Sequence, residues 1–246
     1  NAQYFGTPFG PPILQLAGER YAALRNLAGN NATARIVIAT DTRAGHSLNL
    51  AAQTGGDPAR TPIGIVTPRT SWWESTAERV GGIVAWVTAL ERASQRVAAG
   101  HPCRRIHAFA TCAHELGHLG LHRVLTDNAE FVPQAAYWLH LGANLGCSSD
   151  RNLTIRATDP ADAAHMRRLL LDAGYPASGI ATESIEQAMG EARDLVDHGA
   201  KVLSIIGRNG RFHAPSDRWP ANVDAQAVAS IATATAAWID SLHSMT

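Results

Sequence analysis

Apolar runs rich in β-branched residues recur along this chain, separated by stretches of helical periodicity, and that alternation limits the possible folds more than any single motif does. The runs "ARIVIAT" (34–40), "PIGIVT" (62–67), "RRIHAFAT" (104–111), "AAYWLHL" (135–141), "LTIRA" (153–157) and "KVLSII" (201–206) predict strands. Between them, residues 77–98, 160–174, 183–199 and 224–243 predict helices, the last with capping chemistry at Asn222 and Asp224. Strands that alternate with helices imply an α/β three-layer sandwich: a mixed, mostly parallel central sheet with helices on both faces. Ligands of such sheets bind beyond the carboxyl ends of the strands. The residues just past those ends are therefore the ones to weigh: Arg69, Ser71, His114, Glu115, Gly142 and His213.

Charge excludes several partners. The chain has 21 basic and 21 acidic residues interspersed along 246 positions, and it lacks the basic footprint that nucleic acid or an anionic membrane requires. No apolar run approaches the roughly 18 residues that span a bilayer. Three cysteines, Cys103, Cys112 and Cys147, have no CxxC spacing and suggest neither a disulfide framework nor a cysteine zinc site. The length suits one large α/β domain or two small ones. Residues 1–30, rich in Gly and Pro and then helical, read as an N-terminal arm before a main domain over 31–246, and the initial Asn suggests a processed or excised chain.

His114, Glu115 and His118 spell HExxH, the zinc motif of a metalloprotease helix. Two histidines four apart share a face only inside a helix, and here a strand-like run ends at the motif. The further ligands of that class are missing too: Leu121 and Val124 stand where its extended form needs Gly and His, and after Glu130 the next glutamate is Glu183. An HExxH protease is the second alternative.

A different resemblance covers about residues 34–244. "FATCAHELGHLGL" (109–121) resembles the segment FxGAEExGLxGS of the zinc aminopeptidase family that also contains glutaminyl cyclases, the family-twenty-eight metallopeptidases. Further segments follow in the family's order. "PIGIVTPRTSWW" (62–73) is similar to the strand ending in its His-x-Asp, "AERVGGIVAWVTAL" (77–90) to the helix opened by its Asp ligand, "YWLHLGANLG" (137–146) to its Asn-Leu-Asp strand, and "GRFHAPSDRW" (210–219) to its late His element. The resemblance implies one zinc ion held by Glu78, Glu115 and His213. The second metal's positions fall on Arg69, Ser71 and Gly142, which are not ligands. Glutaminyl cyclases likewise keep only the first set.

Under the same resemblance His114 replaces the glutamate that takes the proton from metal-bound water. Imidazole can serve as that base, and Arg69 would anchor an anionic group or a developing oxyanion. Trp72, Trp73 and Phe212 would wall a substrate pocket. The implied activity is a hydrolase acting on an amide, peptide or related acyl bond of a small molecule or peptide, with one metal or an altered metal site. The alternative is a metal-free relative that binds a ligand or does non-peptidase chemistry. A pairing of Arg69 with Glu78 or Glu115 would favour it, because guanidinium and cation compete for the same carboxylates. His118, His122 and His140 read as helix-surface or packed histidines. "FGPPILQLAGERYAALRNLAG" (9–29) resembles the end of a protease-associated domain, whose remainder would lie on a second chain or be removed, and the family resemblance favours an extracytoplasmic location.

Overall fold

The structure is a computed structural model that describes residues 14, 16, 18–39, 41 and 43–244. Contacts divide the chain into two units, with the boundary between His46 and Ser47. The first unit carries a 3-10 turn, Gly18–Arg20, running into helix α1, Tyr21–Gly29. Most of the segment that resembles a strand before this helix lies outside the described residues. Residues 32–39 have no regular structure, and Ile36, Val37 and Ile38 are exposed. The strand expected at 34–40 is therefore not formed over its described part: β-branched propensity alone does not make a strand.

The second unit is built on seven strands: β1 (Leu50–Gln53), β2 (Ile63–Pro68), β3 (Ile106–Thr111), β4 (Tyr137–Leu141), β5 (Leu153–Ala157), β6 (Ile180–Ser184) and β7 (Val202–Gly207). Their order in the sheet is β1-β3-β2-β4-β7-β5-β6. The four central strands are mutually parallel, β1 runs antiparallel to β3, and the parallel pair β5–β6 joins β7 through an antiparallel ladder. Two of these strands, β1 and β6, were not anticipated. Strand β6 lies across the start of the helix expected at 183–199, which resolves into the end of a strand, a 3-10 turn at Ile185–Gln187 and a short helix α6, Glu191–Asp197.

Alternation along the strands sorts the core into two layers, because successive side chains point to opposite faces. Ile63, Ile65, Leu139, Leu141, Leu203 and Ile205 pack under α2 (Thr76–Ala98), α5 (Pro160–Asp172) and α7 (Ala225–Ser244). Val66, Trp138 and Val202 face α3 (Leu119–Asp127), the single turn α4 (Phe131–Gln134) and α6. Gly64 makes the second layer possible, since a Cβ there would stand 2.3 Å from the Trp138 ring. By the same alternation His140 and Ser204, register partners on β4 and β7, point to the face of α6. The carboxyl ends of β2, β3, β4 and β7 carry the loops that build the site.

Candidate functional site

Three loops and one helix start converge past those strand ends. Helix α2 has no side-chain cap of its own; instead Asp217, fully buried, accepts hydrogen bonds from the backbone N–H groups of Ala77 and Glu78, both at 3.0 Å. A carboxylate at a helix N-terminus satisfies orphan donors and suits the macrodipole. Asn209 and Asn222 donate to the same carboxylate. This ties the loop 208–224 to the start of α2 and sets His213 beside Glu78, with 3.6 Å between His213 Nε2 and Glu78 Oε1.

The stretch after β3 is not a helix. Ala113 is left-handed at φ 52°, His114–Leu116 form one 3-10 turn, and Gly117 and His118 are again left-handed before α3 begins. The HExxH letters are thus broken between the two histidines, and the turn directs Glu115 and His114 to different places. Glu115 turns towards α2. There Arg79, 4% exposed, places one nitrogen, Nη2, 2.6 Å from Glu115 Oε1 and 2.9 Å from Glu78 Oε1. Thr70 Oγ1 donates to Glu115 Oε2 at 3.2 Å, and Arg79 Nε donates to the Thr70 carbonyl.

Glu78, Glu115 and His213 are therefore brought together, and a guanidinium stands among them. It belongs to Arg79 and not to Arg69. The pairing of Arg69 with Glu78 or Glu115 is not formed; its Nε and Nη2 are on the Leu48 carbonyl instead. Burial pushes the Glu78 carboxyl above its ordinary range, with Arg79 pulling the other way, and burial lowers His213. A zinc ion on these three side chains would have to share Glu78 and Glu115 with the buried Arg79 guanidinium, although both Glu78 carboxyl oxygens are buried without a hydrogen-bond partner. Among the described residues no three His, Cys, Asp or Glu side chains are arranged to hold a metal ion.

His114 faces elsewhere. Its buried Nδ1 lies 3.5 Å from Oε1 of Glu191, a fully buried carboxylate that also accepts a 2.6 Å hydrogen bond from Thr111. Burial would raise Glu191, but His114, His140 and the Thr111 hydroxyl outweigh it and hold the carboxyl at about 2. The His114 ring lies 4.5 Å from that of His118, whose Nδ1 pairs with Asp194 at 2.6 Å. Burial would lower His118, and Asp194 overrides this and raises it. His114 lines a cleft of about 500 Å³ together with His140, Gly142, Asn144, Ile206 and Phe212. Of the aromatic residues expected to wall a pocket, Phe212 does line this cleft. Trp72 and Trp73 stand outside it, about half exposed, with Trp73 Nε1 donating to the His213 carbonyl.

Sequence reasoning missed Arg79, Glu191 and His140. Glu191 carries a usable signal: it opens the helix that leads into β7, and a helix that leads into a parallel central strand starts back at the carboxyl end of the sheet, among the site residues.

No family model matches the sequence, and no curated protein matches it. Solved structures do match in fold. LapB from Legionella pneumophila superposes with a TM-score of 0.65 at 16% identity over 80% of this chain and 56% of its own. A glutaminyl cyclase from an Acidobacteriales bacterium gives 0.61 at 11% identity over 79% of this chain and 73% of that one. BSAP, a zinc aminopeptidase from Bacillus subtilis, gives 0.59 at 15% identity over 76% and 48%. The chain thus has an α/β fold shared with zinc aminopeptidases and a glutaminyl cyclase, and spans about half the length of LapB and BSAP.

Proposed function

We propose that this chain uses the aminopeptidase-like fold without a metal ion, as an acid–base enzyme acting on an amide, peptide or related acyl bond. Its substrate, a small molecule or peptide, sits in the cleft beside His114. The observation that carries this reading is the single nitrogen of Arg79 shared by Glu78 and Glu115. A cation at that point would have to displace a guanidinium that is buried and held through Nε as well. The three positions that resemble zinc ligands act here as a structural ion cluster closing the end of the sheet.

Proton transfer then falls to His114. A carboxylate behind Nδ1 favours the tautomer with its proton on Nδ1 and leaves Nε2 as the base. Glu191, held ionised by its surroundings, supplies that carboxylate and stabilises the imidazolium formed when a proton is taken up. Positioned general acid–base groups contribute about 10²–10⁴-fold to rate. The test is turnover of a panel of aminoacyl and acyl anilides with and without chelator. Turnover unchanged by chelator and reduced about 10²-fold or more in His114→Ala is the expected result. Turnover abolished by chelator and restored by zinc overturns the reading.

A further inference from the structure

The cleft contains a polar group that nothing in the protein satisfies. His140 is 1% exposed and lines the cleft floor; its Nδ1 meets Ser204 Oγ at 2.8 Å, and its Nε2 has no partner. A buried donor or acceptor left unpaired is costly, so one beside an open cavity points to a ligand that completes it. Around it apolar side chains, Pro68, Met189, Ile206 and Phe212, alternate with the uncharged polar groups of Asn144 and Asn209 and the His114 ring. The charged lining residues, Asp150 and Arg208, have opposite signs. Arg208 is exposed, and Asp150 already accepts from Asn152.

We propose that His140 Nε2 is the specificity element of the cleft, and that it selects substrates presenting an uncharged hydrogen-bonding group, a primary amide or hydroxyl, at the end of an apolar body. Burial keeps the His140 imidazole neutral, lowering it to about 4 despite the attraction of Glu191. A neutral imidazole gives one hydrogen bond to a neutral partner but no counter-charge to a carboxylate or ammonium, which must then shed water without compensation. An amide or hydroxyl both donates and accepts, and so meets Nε2 in either tautomer of the His140–Ser204 pair. The register that pairs His140 with Ser204 commits Nδ1 and leaves Nε2 as the unpartnered nitrogen of a cleft-lining side chain.

This inference deepens the reading of the cleft given above and is tested by binding, so that it stands or falls separately from the catalytic and metal results. The full chain is titrated with hexanamide, hexanoate and hexylammonium, which share one apolar body, while the histidine ring ¹⁵N signals are followed by NMR. Saturable binding of hexanamide that shifts His140 Nε2, with both charged probes weaker by about tenfold or more, is the expected result. In His140→Leu the preference for the amide disappears. If that variant does not fold, the three titrations of the unmodified chain decide alone. No saturable shift from hexanamide, or equal or tighter binding of either charged probe, overturns the proposal. Zinc-dependent turnover with the amide preference intact would overturn the metal-free reading and leave this one standing.

Discussion

At the residue scale, Arg79 decides the electrostatics of the site. Its guanidinium and both partner carboxylates are nearly or fully buried, and removing one member of such a cluster leaves charges uncompensated. Arg79→Met is expected to destabilise the fold by about 3–5 kcal/mol in urea unfolding, and zinc should partly restore Arg79→Ala by entering the vacated place. Two pH limbs belong to this scale as well. Glu191 is depressed from 4.5 to about 2 on folding, so its contribution is present above 4.5 and is lost as pH falls from there towards 2; Glu191→Gln flattens that part of the stability profile. His118 is raised above 6.5, so its contribution is complete below 6.5 and is lost as pH rises through the folded value, a limb that Asp194→Asn removes. Position past a strand end marked Glu115 and His213, while Glu78 entered only through the family resemblance; the fold brings the three together. Which arginine meets them was not legible. Arg69 and Arg79 both lie near the site in sequence, and the outcome depends on the turn at residues 69–75 and on the first turn of α2.

At the element scale, the start of α2 is held by a cap from a distant loop. Asp217→Ala should cost about 2 kcal/mol and, in hydrogen exchange, expose the amides of Ala77 and Glu78 first. Gly64→Ala drives a methyl into the Trp138 ring and should cost about 1–3 kcal/mol in the same unfolding assay. The five inner strands were readable from their own residues: β2, β4 and β7 are almost wholly buried and apolar-rich, and β3 and β5 carry β-branched or aromatic residues in a mostly buried pattern. The edge strands were not: β1 is the short polar-ended "LAAQ" and β6 the mixed "IATES", whose pairing comes from their neighbours and not from their own pattern. The reverse error at 34–40 has the same cause: over its described residues, 34–39, a strong β pattern pairs with no described strand.

At the scale of the whole molecule, the unit from Ser47 onward contains the complete sheet and both core layers. A chain trimmed to residues 47–246 should fold cooperatively by itself, with calorimetric and van't Hoff enthalpies in agreement. The three-layer architecture followed from the alternation of strands and helices; the chemistry did not, because a metal ion and a guanidinium are held by the same carboxylates and differ only in what stands between them. Diffraction at the zinc absorption edge, from crystals of the unmodified chain grown with zinc present, tests that difference most directly. The account predicts no anomalous peak within coordinating distance of Glu78, Glu115 and His213, with guanidinium density between the two carboxylates. A zinc peak on those three side chains, with Arg79 turned aside, would contradict it.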